Sequence, residues 1–323
     1  MAITLAEAKV GMSDKVNQTV IDEFRRESFL LDSLTFDDCV SPGTGGSTLS
    51  YGYTMLTTPS TAAGRELNKE YTANEAKRSK KTTELKIFGG AFEVDRVLQQ
   101  TSGAADEITF QLQQKIKAAS NQFHNMVING DSETTNTDFD GLDELLTGSS
   151  TEYKDNIGID LSDAAALDAS AKYFLDALDE FLSGLDGKPT MLMGNAKLIN
   201  KIKACARRAG YYSRAESAAG VTIERYNDIP LVDLGSYYDG SSTKPVVSIY
   251  DASSKTGLTD LYAPVLGLDG FHGISPTGGN IIHSYLPDLT APGAVKRGEV
   301  EMVCGVCLKN SLKAGVFRGI KVK

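Results

Sequence analysis

The sequence has little that would suit a membrane, a disulfide scaffold or a reader of duplex DNA. No apolar run approaches the ~20 residues a helix needs to cross a bilayer. Residues 1–10 carry no basic stretch followed by an apolar core, so no signal peptide is expected and synthesis inside a cell follows. The cysteines, Cys39, Cys205, Cys304 and Cys307, are too few and scattered for a disulfide framework in 323 residues. Base is scarcer than acid: 33 Lys and Arg stand against 42 Asp and Glu, a formal charge of -9. Specific duplex binders concentrate Lys and Arg because neutralising phosphates drives their affinity. That balance argues against such a role for the chain as a whole and leaves room only for a local basic patch.

Recognisable catalytic chemistry is also missing. The histidines, His124, His272 and His283, join no Ser, His and Asp in a local signature. Gly43-Thr44-Gly45-Gly46 lacks the lysine and following helix of a phosphate-binding loop. Asp138, Asp140, Asp143 and Glu144 have the charge of a calcium loop without its order. Cys304-x-x-Cys307 has no second Cys or His pair at zinc-ribbon spacing, and a three-residue step in a strand puts the thiols on opposite faces. No catalytic residue, cofactor or metal is therefore assigned.

What is present is an ordinary globular composition, 41% apolar and 23% charged, long enough for roughly two domains. Residues 1–43 make little core of their own. Val16, Val20 and Phe24 have the spacing of a short amphipathic helix whose apolar side needs a partner, and the segment breaks at Ser41-Pro42-Gly43. It reads as an arm that docks elsewhere. Residues 47–60 have strand composition, with Tyr51 and Tyr53 two apart, and 82–95 repeat the signal with a bulge or bend expected at Gly89-Gly90. The polar stretch from Gly64 to Lys81 between them predicts a long hairpin with a solvated, charged tip.

The strongest helix signal covers 104–129, where Ile108, Leu112, Ile116, Ala119, Phe123 and Val127 form one apolar stripe and Asn129-Gly130-Asp131 ends it. Ser162 is the expected N-cap of a helix running to about Leu182. A short buried strand follows at Thr190 to Met193, and Asn195 opens another helix that Gly210 ends. Strands are expected at 221–226, 231–234, 245–251, 298–308 and 314–322. Strands and helices do not alternate regularly, which predicts an α+β fold rather than a doubly wound sheet.

The order arm, hairpin, long helix, α/β region and terminal strands resembles the major capsid proteins of tailed bacteriophages, of the Hong Kong 97-type fold. The likeness rests on arm 1–43, on hairpin 44–97 as the extended loop, and on 104–129 as the spine helix. It rests also on Ile128-Asn129-Gly130-Asp131 followed by Phe139-Asp140-Gly141-Leu142, and on the close from Val303 to Phe317, which is similar to the family's final peripheral strands. The resemblance implies a peripheral domain in 98–154 and 293–323 and an α/β axial domain in 155–292. It implies pentamers and hexamers of this chain in an icosahedral or prolate shell around packaged double-stranded DNA, which the wall touches without reading its sequence. Assembly in the host cytoplasm, portal and scaffolding partners, and no membrane partner follow from it. Many members begin with a scaffolding region that is cleaved off; here scaffolding is either a separate protein or a segment outside this chain.

On this reading the intersubunit contacts fall on Phe24 of the arm and on Arg65, Glu66, Lys69, Glu70, Lys77, Arg78, Lys80 and Lys81 of the hairpin. An encapsulin-like cellular compartment is the alternative with the same fold. A cytosolic enzyme with a degenerate site around one of the histidines is the alternative from another class. Some shells of this fold carry Lys–Asn isopeptide bonds, for which Lys69, Lys77, Lys80 or Lys81 and Asn310 would be the partners. Where that pattern has Glu, this sequence reads Lys309-Asn310. Purified particles are therefore expected to run as monomers on a denaturing gel, and a ladder of covalent oligomers would overturn that expectation.

Overall fold

A computed structural model describes residues 3–4, 28–39, 48–58, 60–97, 107–154, 159–210, 213–216, 222–252, 255–276 and 281–323. The expected helix of the arm around Phe24 lies outside the described residues.

Chain order runs β1 (Ile3–Thr4), α1 (Phe29–Ser33), β2 (Thr35–Cys39), β3 (Ser50–Thr58), β4 (Lys77–Glu84), β5 (Lys86–Asp95) and the long helix α2 (Glu107–Asn129). It continues through α3 (Leu142–Leu146), β6 (Glu152–Lys154), α4 (Ala164–Ser183), β7 (Leu192–Gly194), α5 (Ala196–Ala209), β8 (Ser213–Glu216), β9 (Thr222–Tyr226) and β10 (Ile229–Asp233). It closes with β11 (Ser236–Tyr238), β12 (Thr243–Pro245), β13 (Tyr250–Ala252), β14 (Lys255–Pro264), β15 (Phe271–Pro276), β16 (Ile282–Tyr285), β17 (Val295–Leu308) and β18 (Ala314–Lys321).

Two sheets organise these elements. The first has six strands: β1, β2, β15, β17 and β16 in order, with β5 on β17. The second has eight: β6, β18, β14, β7, β10, β9 and β8, with β13 on β14. Among the described residues strand pairing is mostly antiparallel, and β2–β15, β6–β18 and β7–β10 are parallel. The fold is α+β, with no doubly wound sheet.

Strand β17 governs the first sheet. Its even positions Val300, Met302, Cys304, Val306 and Leu308 pack in one cluster with Ile116, Ala119, Phe123 and Val127 of α2. The stripe read from the sequence is thus the face α2 buries, with Leu112 partly buried against the same cluster. The second sheet buries its own cluster under α4 and α5, through Phe174, Leu178, Phe181, Leu198, Ile202 and Phe317.

Several boundaries differ from the sequence reading. The run 82–95 is two strands. Lys77–Glu84 returns the hairpin along β3, whereas Lys86–Asp95 crosses to pair with β17. Lys77 to Glu84 is polar on both faces, so it offered no alternation to recognise. No bulge occurs at Gly89-Gly90: the ladder runs unbroken from Asp95 opposite Val295 to Lys86 opposite Cys304. A Cβ at Gly89 would lie 2.0 Å from the Val300 carbonyl oxygen, so the glycine there permits close strand approach. The N-cap of α4 is Asp163 rather than Ser162; its carboxylate accepts from the Ala166 N–H at 2.8 Å and suits the positive end of the helix. Sheet membership also cuts across the expected division at 292. β15 and β16 pair with β17 in the first sheet, and β6 and β18 belong to the second. The partner of a strand is a long-range choice that local composition does not encode.

The turn after α2 explains why Asn129-Gly130 and Gly141-Leu142 stand where they do. The Gly141 N–H donates to the Gly130 carbonyl at 2.8 Å, and Gly130 N–H donates to the Met126 carbonyl at 3.0 Å. A Cβ at Gly141 would meet the Met126 oxygen at 2.6 Å and the Ile128 oxygen at 2.7 Å. Only glycine lets the returning chain seat against the helix end, which places Phe139 and Leu142 in the core. Gly141→Ala is expected to destabilise the subunit by about 2–3 kcal/mol through forced backbone displacement. Gly64→Ala, whose Cβ would meet open space, should stay within about 0.5 kcal/mol. Chemical denaturation of the unassembled protein measures both.

Candidate functional site: the projecting ribbon and its root

Strands β3 and β4 form a sheet of their own, paired from Ser50 opposite Glu84 to Thr58 opposite Lys77. The ribbon is anchored at one end. Tyr51 and Tyr53, two apart and so on one face, pack beside Cys39, Leu85, Ile274, Val303 and Cys307. Val303 and Cys307 are odd positions of β17, so the ribbon root covers the face of the first sheet opposite α2. Tyr51 donates from its hydroxyl to Asp37 Oδ2 at 2.5 Å. Lys309 Nζ sits 3.6 Å from the same carboxylate oxygen and 5.3 Å from the Tyr51 ring centroid. The His272 ring meets Tyr51 edge-on at 6.0 Å. Burial pushes the Tyr53 phenol and the Cys39 and Cys307 thiols each up to about 12. These groups stay neutral near pH 7 and act as packing.

Cys304 and Cys307 face away from each other, one toward α2 and one toward the ribbon root. Among the described residues no group of three His, Cys, Asp or Glu could hold a metal ion.

The hairpin charges fall into two sets. Those of the tip are engaged with one another: Arg65 donates to the Glu66 and Lys69 carbonyls at 3.3 and 3.1 Å, and lies 5.4 Å over the Tyr71 ring. Lys69 pairs with Glu66 at 2.5 Å. Glu70 is exposed beside them. The Thr61 N–H donates to the Asn74 side chain at 3.1 Å and draws the ends of the tip together. Lys77, Arg78, Lys80 and Lys81 are not in the tip; they line β4, exposed, and form no ion pair among the described residues. Phe24 lies outside the described residues.

Two polar clusters hold the body that carries the ribbon. Arg318 on β18 donates from Nε to Glu152 at 2.6 Å and from Nη1 to Asp143 at 2.6 Å and Asp260 at 3.3 Å. Tyr262 and Tyr250 donate to Asp143 and Asp260 at 2.8 and 2.7 Å. This network ties the segment after α2 to the second sheet. Burial raises the Asp260 carboxyl, while Arg318 is held more firmly protonated by its carboxylates against the cost of its own burial.

The other cluster centres on His124 of α2, 4% exposed. Its Nδ1–H donates to the Leu234 carbonyl at 3.2 Å, and its Nε2 accepts from the Ser28 hydroxyl. Ser28 Oγ in turn accepts from the Leu31 N–H at 3.0 Å and caps α1. Neither partner is a carboxylate. His272 is buried at the ribbon root, and its Nδ1 faces the Gly270 carbonyl at 3.3 Å. His283, half-buried, sits opposite Glu301 and stacks on the Tyr285 ring at 6.4 Å. The three histidines are not gathered into a pocket. Asn310, the residue considered for crosslinking, caps a turn by accepting from the Leu312 N–H at 3.0 Å and donates to Asp186 at 3.3 Å.

The root residues Asp37, Tyr51, Tyr53 and Lys309 were not singled out as a site by the sequence. Its one signal was the two-residue spacing of the tyrosines.

Residues 30–229 match the family model of the SU10 major capsid protein. No curated protein matches the sequence. Among solved structures, the holo-SrpI encapsulin complex of Synechococcus elongatus PCC 7942 aligns with TM-score 0.60 at 14% identity, over 90% of this chain and 86% of that one. The structure of Mycobacterium phage Adephagia aligns with TM-score 0.54 at 11% identity, over 89% and 88%. The capsid of Myoviridae phage XM1 aligns with TM-score 0.53 at 10% identity, over 87% and 89%. These likenesses place the chain in the Hong Kong 97-type fold.

Burial pushes the His124 imidazole down to about 4 from an ordinary 6.5. Its folded pKa is depressed, so the contribution of the neutral ring is whole above about pH 6.5. It is lost as pH falls from 6.5 to about 4, where the unfolded chain takes up the proton first; the loss amounts to about 3 kcal/mol. His124→Leu should flatten the stability profile across that window. At pH 7 it should cost about 2 kcal/mol, because the Ser28 hydroxyl and Leu234 carbonyl lose their partner. Denaturant unfolding at a series of pH values checks both.

Proposed function

Because the chain belongs to the SU10 major capsid protein family, and so forms a virion capsid shell from copies of itself, we propose that its capsomers are pentamers and hexamers held together through the ribbon and the N-terminal arm. The shell is icosahedral or prolate and encloses packaged double-stranded DNA through non-specific contact. The observation that carries the reading is the ribbon: among the described residues β3 and β4 pair only with each other, in a sheet separate from the two large ones. An isolated two-stranded ribbon is marginal in water, and fixing its backbone costs about 1–2 kcal/mol per residue. Contacts with another copy would offset that cost and couple ordering to assembly.

In this reading the first sheet with α2 is the peripheral part, and the second sheet with α4 and α5 is the axial part around the ring centre. Phe24 serves the arm. Arg65, Glu66, Lys69 and Glu70 shape the tip, and Lys77, Arg78, Lys80 and Lys81 meet the neighbouring subunit. Portal and scaffolding proteins are the expected further partners, and synthesis and assembly occur in the host cytoplasm. No catalytic step is assigned to the chain.

The likeness to SrpI favours one second reading, an encapsulin-like compartment. Particles holding a cargo protein instead of nucleic acid would identify it.

Expression of the full chain followed by electron microscopy tests the proposal. Closed shells, or rings of five or six, are expected. A strictly monomeric particle would overturn it. Lys80→Glu with Lys81→Glu should cut particle yield while the subunit keeps its thermal unfolding profile, and normal yield would count against the ribbon.

A further inference from the structure

We propose that His272 is an acid-sensitive latch at the root of the ribbon: the neutral imidazole lets Tyr51 seat against the first sheet, and protonation lifts Tyr51 away and frees the ribbon to pivot. The latch is a property of the single chain. Its consequence for shells, that assembly responds to pH through the position of the ribbon, rests on the reading of the ribbon as an assembly element.

The ribbon joins the body where the Leu85 N–H donates to the Leu49 carbonyl at 2.8 Å and the Thr48 N–H donates to the Cys39 carbonyl at 3.0 Å. Beyond that line it is seated by Tyr51 and Tyr53, in a small cluster with Cys39, Leu85, Ile274, Val303 and Cys307. The cluster is separate from the two large cores, and a small satellite of this kind is a unit that opens locally. His272 lies within the seat. It stands opposite Cys307 in the β15–β17 ladder and meets the Tyr51 ring edge-on. The imidazole is fully buried. Its Nδ1–H donates to the Gly270 carbonyl at 3.3 Å, which leaves Nε2 as a buried lone pair with no hydrogen-bond partner among the described residues.

Charged and titratable groups reach this ring from every element around it. Strand β2 brings Asp37, Asp38 and Cys39, and β3 brings the Tyr51 and Tyr53 phenols. The end of β17 brings the Cys307 thiol and, just beyond it, Lys309; the turn before β15 brings Asp269. Both facing carboxylates already have a cation: Asp37 has Lys309 at 3.6 Å, and Asp269 has Lys313 at 3.2 Å. Burial and the Lys309 charge hold the imidazole below its ordinary 6.5, against the Gly270 carbonyl, Asp37 and Asp269. A proton on Nε2 would be a buried donor with no acceptor in place, and hydrating it requires one side to give way. Strand β15 is fixed by ladders on both edges, to β17 and to β2. Tyr51, tied by one hydroxyl bond to Asp37, is the side that yields. Because the folded pKa is depressed, the seat is whole above about pH 6.5 and is lost as pH falls below it. Against the cost of its own burial, the Tyr51 hydroxyl and Lys309 hold Asp37 below its ordinary 3.8, so it stays ionised through that window. His124 titrates in the same window but acts on the whole body, which the test has to separate.

Hydrogen exchange read by mass spectrometry on the unassembled full chain tests the latch, between about pH 7.5 and about pH 5, with rates corrected for their intrinsic pH dependence. Strand β3, Ser50–Thr58, is expected to lose about tenfold more protection across that range than α2, which reports the body and carries the effect of His124. His272→Asn keeps a donor for the Gly270 carbonyl and takes up no proton. In that variant β3 should lose no more than α2 loses. His272→Gln takes its place if the asparagine variant does not unfold cooperatively at neutral pH. Equal losses in β3 and α2 of the wild-type chain, or an excess loss in β3 that persists in the variant, would overturn the latch. Particle yield of the wild-type chain at both pH values separates the two readings. Shells built from a chain whose ribbon never opens keep the assembly reading and sink the latch. A ribbon that opens as expected in a chain that forms no shells keeps the latch and sinks the assembly reading.

Discussion

Strand β17 has to satisfy two edges and two faces at once. One edge takes β5 along its first ten positions; the other takes β16 and then β15. One face must match the apolar stripe of α2, and the other must accept the ribbon root over its second half. A strand has a strict two-residue period, so a slip of one position would turn Glu299 and Glu301 into the core and Val300 and Met302 out of it. Register is therefore strongly specified. The positions of the spine helix and the ribbon both follow from it.

The buried polar groups serve the same framework. His124 joins the cap of α1 to the spine helix and to the strand region after β10. Arg318 joins the segment leaving the spine helix to the second sheet. Each spans elements distant in sequence, and each is costly to break because its partners would be left buried without a hydrogen bond. The body is thus built as a fixed support. The ribbon departs from it with polar faces, an exposed row of cations and little core. Rigidity in one part and unmet bonding capacity in the other suit a subunit whose work is done on copies of itself.

The thiols and histidines fit that picture. Cys39, Cys304 and Cys307 are buried and held protonated, and the imidazole of His124 is occupied by a hydroxyl and a carbonyl. Reactive side chains require exposure or an activating partner, and packing at these positions supplies neither.

Local pattern was enough for α2, because an apolar stripe held at helical spacing from Ile108 to Val127 leaves one solution. It was enough for the caps at Asn195 and Gly210 and for the Tyr51–Tyr53 face. Composition alone carried the imbalance of charge, and the order of elements carried the family. It could not place Lys77 to Lys81 in a strand, since a strand exposed on both faces shows no alternation. Nor could it assign β5, β15, β16 and β18 to their sheets or join Asp37 to Tyr51 and Lys309. Those depend on which segments meet across tens to hundreds of residues. A sequence encodes periodicity within an element, whereas the pairing of edges and the sharing of a carboxylate are settled only when the whole chain packs.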